Sequence, residues 1–241
     1  MPQTFGWALT GLGLFADQFV APAIQKAAGC RLLAVYSREK GRGEAFAQRH
    51  AAEAAYDSLP DLLRHPGVEG VYIASPNFLH KEHTLMAAEA GKHVLVEKPM
   101  ALSTEECRQM VEACRRAGVK LGVGFHLRHH PAHQEARRLA QNGVLGHIVF
   151  VQGTWASGMR GRTDPPPRTG LRAWWDDRSL SGGGSVMRSG VHLIDLFRYL
   201  TGQEVVEVTA VTDGPGEGRP VETLAAALFR FSGGAYGCIL V

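Results

Sequence analysis

The sequence predicts an α/β protein: a doubly wound parallel sheet followed by a second α/β domain whose open sheet is mainly antiparallel. Three observations predict it. Short apolar runs alternate with helix-like stretches from Phe5 to about Gly124, the pattern of a parallel sheet wrapped by crossover helices. A glycine-rich turn, Gly11-Leu12-Gly13-Leu14-Phe15-Ala16, opens the first helix directly after the first apolar run. The last apolar runs, 204–212, 221–231 and 235–241, follow one another without helical sequence between them, as strands joined by hairpins do. The texture changes near residue 125, which divides the chain into domains at 1–125 and 126–241.

Phe5 to Thr10 is the first strand. Behind it Gly11 makes the sharp bend, Gly13 lets the backbone approach a pyrophosphate, and Ala16 lets helix and strand pack closely. The free N–H groups where the helix starts, at Leu14 and Phe15, and the positive end of its dipole suit that anion. Arg31 to Tyr36 is the second strand. An acid at its end would grip a ribose 2′-hydroxyl. Ser37 and Arg38 stand there instead, with Lys40 and Arg42 close by, a set that suits a 2′-phosphate. The expected cofactor is therefore NADP, with NAD as the second choice. The plainer alternative is that these cations only solvate a helix start.

Glu44 to His50 reads as a helix, Ala55-Tyr56 as a short edge strand, and Ser58 as the cap of a helix through Leu63. Gly70 to Ala74 is a buried strand that stops on Ser75-Pro76-Asn77-Phe78-Leu79-His80. A helix from about His80 to Ala90 ends at Gly91. Further on, Ser103 and Glu106 form a capping box. Cys107, Met110, Val111, Cys114 and Ala117 repeat behind it as one buried helix face, which Gly118 closes. Lys120 to Gly124 is the sixth strand. A helix from Pro131 to Asn142 and a strand from His147 to Trp155 follow. The Pro/Arg/Gly-rich loop over about 158–171 is either a lid over a site or a disordered excursion. After Trp174-Trp175-Asp176-Asp177 and Gly182-Gly183-Gly184, a helix carries Arg188, His192, Asp195 and Tyr199 along one stripe. Leu193, Leu196, Phe197 and Leu200 form its buried stripe.

Apolar residues make up 45 % and charged residues 20 %, and the net charge is +3. That balance fits a folded globular protein, and without a basic run it gives nucleic acid no footprint. No signal peptide or membrane span is expected, because no long apolar segment appears. Cys30, Cys107, Cys114 and Cys238 form no CxxC pair, so a structural zinc or redox pair is not expected and a reducing cytoplasm fits. His126, His129 and His130 cluster without a carboxylate, and adjacent histidines rarely face one ion, so no metal is expected.

Val94-Leu95-Val96 fits a strand buried on both faces. It stops on Glu97-Lys98-Pro99, since proline cannot continue a central strand. Glu97 and Lys98 therefore fall at the carboxyl rim, where open α/β sheets bind ligands. A lysine held there near apolar walls is a candidate for catalysis; a solvated loop lysine is the alternative.

At Glu97-Lys98-Pro99 the sequence resembles the Gfo/Idh/MocA oxidoreductases, named for glucose–fructose oxidoreductase and inositol dehydrogenase. Gly11/Gly13/Ala16, Ser75-Pro76-Asn77 with His80, Gly122 to Pro131, and Gly182-Gly183-Gly184 followed by Gly190, His192 and Asp195 extend the resemblance over nearly the whole chain. It implies a dinucleotide-binding Rossmann domain at 1–125 and a substrate and oligomerisation domain at 126–241. It also implies hydride transfer between a nicotinamide and a hydroxyl or carbonyl carbon, usually of a sugar or polyol. In that scheme Lys98 contacts the reacting oxygen and His192 is the proton donor and acceptor. Glu97, Asn77 and His80, with Ser75, match positions around the cofactor's ribose and nicotinamide. Pro99 matches a position often held in the cis form. His126, Trp174 and Arg188 are expected at the substrate beside Lys98 and His192.

Two features depart from the family. An aspartate often stands four residues before the histidine; this chain has Arg188, which cannot accept a hydrogen bond from the imidazole. Asp195 could take over the orienting role. Alternatively Arg188 binds an anionic substrate such as a carboxylated sugar, or is a surface arginine tied to Asp195. Family members also usually continue beyond this length and complete the C-terminal sheet, which commonly forms the subunit interface. The chain is therefore expected to be a fragment, or a homo-oligomer that closes its sheet with a partner. A catalytically silent dinucleotide-binding sensor or regulatory subunit is the rival reading, favoured by Arg188 and by the short C-terminus.

Overall fold

The computed structural model describes residues 4–156, 168–214 and 220–241. Most of the loop expected at 158–171 lies outside them. The chain forms two units, 1–124 and 125–241.

In the first unit β1 (Phe5–Thr10), β2 (Cys30–Tyr36), β3 (Ala54–Tyr56), β4 (Val68–Ile73), β5 (His93–Val96) and β6 (Leu121–Val123) form one sheet, ordered β3-β2-β1-β4-β5-β6. Every pairing is parallel. The order reverses between β1 and β4, so the carboxyl ends of these two strands flank the switch point of a doubly wound sheet. Leu9, Val35, Val71, Ile73, Val94 and Val96 are buried in two apolar clusters formed with the crossover helices. Such cover on both faces explains why the strands read as continuous apolar runs.

The helices are α1 (Ala21–Lys26), entered through a π turn at Ala16–Val20, then α2 (Lys40–Arg49), α3 (Leu59–Leu63), α4 (His80–Glu89) and α5 (Thr104–Arg116). Helix α2 starts a turn earlier than expected. Its first turn, Lys40-Gly41-Arg42-Gly43, carries no apolar residue and so shows no periodic signal. Half of the capping box on α5 forms as predicted, while the glutamate reaches one residue beyond the cap. Ser103 Oγ accepts from the Glu106 N–H at 3.1 Å, and Glu106 Oε2 accepts from the Leu102 N–H at 3.0 Å. The buried stripe of α5 is narrower than predicted. Met110 and Cys114 are buried, but Val111 is exposed, because a neighbouring position lies about 100° around the helix.

The second unit begins with a 3₁₀ turn at His126–His129. It continues through α6 (Pro131–Gln141), β7 (Phe150–Thr154), a 3₁₀ stretch at Gly170–Asp176, α7 (Arg178–Ser181), a π turn at Val186–Gly190 and α8 (Val191–Thr201). The strands β8 (Val205–Thr212), β9 (Ala225–Phe231) and β10 (Tyr236–Leu240) complete a sheet ordered β7-β10-β9-β8. The pairs β8–β9 and β9–β10 are antiparallel, whereas β7–β10 is parallel. Leu193 and Phe197 of α8 pack on one sheet face with Phe229, Phe231 and Ile239. The opposite face carries Phe150, Val211, Leu228, Tyr236 and Leu240, all exposed.

Candidate active site

At the end of β1 the backbone must turn against β4. Gly11 adopts φ +79°, and a Cβ there would lie 2.2 Å from the Ala74 carbonyl and the Ser75 nitrogen. No other residue fits that approach. A Cβ on Gly13 would meet nothing within 4 Å, so that side of the turn is open. The helix behind it starts with no capping side chain, and Leu14 and Phe15 are exposed. An open glycine turn leading to an uncapped helix N-terminus fits a dinucleotide phosphate. At the end of β2, Ser37 Oγ accepts from the Glu39 N–H at 3.2 Å and Arg38 is exposed. Arg42 is already engaged: its guanidinium donates to the Leu12 carbonyl at 2.6 Å.

Under this rim lies a buried polar layer. His83 Nδ1 sits 3.4 Å from Thr10 Oγ1, and Tyr36 presents its ring edge-on at 5.9 Å. Burial, followed by the charges of His80 and Arg38, pushes the His83 pKa down to about 4. The unfolded ring titrates near ~6.5. Above that pH both states are neutral and the folded state bears no penalty. As pH falls, the unfolded chain binds a proton that the folded chain refuses, so stability falls with it, by about 2 kcal/mol at pH 5 relative to pH 7. His83→Gln should remove this share. Urea unfolding at the two pH values should then show a smaller difference, and an unchanged difference would show that another group governs acid sensitivity.

Ser75, Asn77 and His80 follow β4. Asn77 opens the 3₁₀ turn Asn77–Leu79 that leads into α4. His80, expected beside the cofactor, is instead only 1 % exposed. Its Nδ1 lies 2.8 Å from the Pro99 carbonyl and its Nε2 2.8 Å from the Ser75 carbonyl. Two acceptors favour the imidazolium, the only form that donates from both nitrogens. Burial opposes it, with the Lys98 charge adding, and the pKa is held below the ordinary histidine value.

Glu97 is 9 % exposed. Its Oε1 accepts from the Tyr72 hydroxyl at 2.6 Å and its Oε2 from the Lys98 N–H at 3.2 Å. Burial and then the negative charge of Glu97 raise the Tyr72 pKa. Lys98 follows, half-buried, and the Lys98–Pro99 peptide is cis. The rim of this unit thus gathers Ser75, His80, Glu97 and Lys98 beside the glycine turn.

In the second unit His192 is 4 % exposed. The Trp155 ring stacks on it at 5.4 Å and 14°, and His126 meets it edge-on at 5.0 Å. His126 and His192, both predicted at the substrate, are therefore brought together. Arg188 lies in the π turn that precedes α8 rather than in α8 itself. Burial lowers its pKa and Arg168 adds to this, while Asp176 and Glu222 oppose. The reading of Arg188 as a surface arginine tied to Asp195 is corrected. The two Asp195 oxygens take the Arg128 guanidinium at 2.6 and 2.8 Å, so its arginine partner is Arg128. Glu222 holds the start of the π turn: its carbonyl accepts from the Ser185 N–H at 3.0 Å and its Oε1 from the Val186 N–H at 3.1 Å. Trp174 meets Trp175 edge-on at 5.5 Å within the 3₁₀ stretch.

Tyr72, Arg128, Trp155 and Glu222 were not singled out in the sequence. Each acts through a partner 25 to 67 positions away, such as Glu97 for Tyr72 and Asp195 for Arg128, and no local pattern marks such pairs.

Residues 5–125 match the model of an oxidoreductase family with an NAD-binding Rossmann fold, and residues 133–241 match the GFO/IDH/MocA C-terminal domain. The chain is 34 % identical over 229 residues to 1,5-anhydro-D-fructose reductase of Ensifer adhaerens, covering 95 % of this chain and 66 % of that protein. It is 33 % identical over 202 residues to D-glucoside 3-dehydrogenase of Escherichia coli K12, covering 83 % and 55 %. Among solved structures, levoglucosan dehydrogenase in complex with NADH and levoglucosan aligns with a TM-score of 0.86 at 27 % identity, covering 99 % of this chain and 66 % of that one. The chain thus spans between about half and two thirds of the length of these relatives.

Proposed function

The chain belongs to the GFO/IDH/MocA family of oxidoreductases, and on that premise we propose that it interconverts a hydroxyl and a carbonyl carbon of a sugar or polyol with a nicotinamide cofactor. The observation that carries the reading is the Glu97–Lys98 turn. A buried carboxylate, fixed by Tyr72, sets the backbone of a half-buried lysine at the strand rim beside an open glycine turn. Relatives that reduce anhydrofructose or oxidise glucosides and levoglucosan support the sugar class.

The glycine turn at Gly11 and Gly13, with the helix start at Leu14 and Phe15, would hold the pyrophosphate. Ser75, Asn77 and Glu97 would line the ribose and nicotinamide. When bound, the nicotinamide supplies the hydride acceptor or donor. In alcohol oxidation the Lys98 ammonium polarises the substrate oxygen and His192 takes the hydroxyl proton. His126, Trp174 and Arg188 contact the remaining substrate groups. The test is a panel of sugars, polyols and carboxylated sugars with each cofactor, followed by absorbance of the reduced nicotinamide. Preference for carboxylated sugars would support an anion contact at Arg188. Cofactor binding without turnover of any panel member would favour the silent sensor instead, a reading that rests on Arg188 standing in place of an acid.

NADP is the proposed cofactor, held at its 2′-phosphate by Ser37 and Arg38. Arg38→Ala should shift the NADP-to-NAD ratio of kcat/KM toward NAD by about tenfold, the effect of one charge-assisted contact of about 1.4 kcal/mol. An unchanged ratio would remove Arg38 from phosphate recognition. The exposed face around Val211, Leu228 and Leu240 is the proposed subunit contact. Sedimentation should show a dimer or larger species that Leu228→Glu weakens; a monomer at all concentrations would exclude it.

A further inference from the structure

We propose that His80 is a positioning residue for Lys98, a buried strut that joins the cofactor-side turn after β4 to the turn after β5. The inference rests on the reading of Lys98 given above. The ring has no exposed face for a ligand, being 1 % exposed. Its two nitrogens reach carbonyl oxygens on two different turns, Ser75 on one and Pro99 on the other, both at 2.8 Å. Pro99 is the residue directly after Lys98. Few other side chains could bridge the two carbonyls, because the bridge needs N–H donors on opposite sides of a rigid, planar group; the protonated ring donates to both, the neutral ring to one of them. The position is the first residue of α4, so the helix fixes where the ring starts. On the far side of the same turn, Tyr72 and the Lys98 N–H hold the Glu97 carboxylate. The lysine backbone is thus gripped on both sides, by the Tyr72–Glu97 pair and by His80. A displacement of ~1 Å at a reacting group can cost ~10²-fold in rate, so loosening one grip is measurable without touching the lysine.

The experiment compares His80→Leu, which removes both contacts, with His80→Gln, which keeps one donor, in the full chain. Steady-state kcat and KM, cofactor affinity by nicotinamide fluorescence, and thermal unfolding are measured for each. In His80→Leu, kcat should fall about 10²-fold with KM for the sugar little changed, and His80→Gln should recover most of the loss. In a Lys98→Ala background His80→Leu should cause no further fall. An equal fall with and without the lysine, or a loss that merely tracks the unfolded fraction, would overturn the proposal. Should the wild-type chain turn over no panel member, the catalytic reading fails by itself and positioning is read directly. Lysines are reductively methylated with ¹³C, and the Lys98 signal is assigned by its absence in Lys98→Ala. A signal that moves in His80→Leu and returns toward its wild-type place in His80→Gln supports the strut. A signal unmoved in both variants overturns it.

Discussion

Lys98→Ala is expected to lower kcat by roughly 10²–10⁴-fold while leaving cofactor binding and the unfolding transition near their wild-type values. The physical basis is local. Glu97 is buried and fixed by Tyr72 and by the Lys98 N–H, so the backbone of the turn is held by groups that the substitution leaves in place. Only the ammonium is lost, and with it the charge that, in the proposed reaction, would stabilise a developing oxyanion. His192→Asn should cause a loss of similar size through the missing proton acceptor. The double variant should fall little below the worse single one, because residues that act as a unit are not additive. Turnover within about threefold of wild type in Lys98→Ala would refute the assignment.

The second large effect is on the fold itself. Gly11→Ala places a Cβ 2.2 Å from the Ala74 carbonyl in a residue with φ +79°. Overpacking costs about 1–3 kcal/mol and the left-handed backbone about 1–2 kcal/mol more, so urea unfolding should show a loss of about 3 kcal/mol. Cofactor affinity should collapse with it. Gly13→Ala is the control. A methyl there meets no protein atom within 4 Å, so stability should change by less than about 0.5 kcal/mol while cofactor affinity falls. If the Gly13 variant binds cofactor as tightly as wild type, the open side of the turn does not hold the dinucleotide.

What the sequence disclosed was whatever repeats locally. The buried strands announce themselves as apolar runs, and the Ser103–Glu106 box and the glycine turn are signalled by their own spacing. Alternation and right-handed crossovers disclosed a doubly wound parallel sheet, but not its order β3-β2-β1-β4-β5-β6, which depends on which strands become neighbours. The start of α2 was hidden because Lys40 to Gly43 has no apolar period. The parallel β7–β10 pair was hidden because register between distant strands leaves no trace in either one. The candidate site divides the same way. Glu97 and Lys98 stand out because a proline stops an apolar strand behind them. The burial of His80, the hold of Tyr72 on Glu97, the stack of Trp155 on His192 and the pairing of Asp195 with Arg128 all depend on which elements become neighbours. The π turn that carries Arg188 ahead of α8 is a departure from 3.6-residue periodicity that spacing arguments assume away.

The bond from Arg42 to the Leu12 carbonyl bears on coenzyme engineering. Of the cations near the end of β2, this one braces the glycine turn proposed to hold the pyrophosphate. Redesign that begins by deleting it would slacken the loop and weaken both dinucleotides alike, leaving their ratio where it was. Selectivity should be rewritten at Arg38, with Arg42 kept as part of the scaffold.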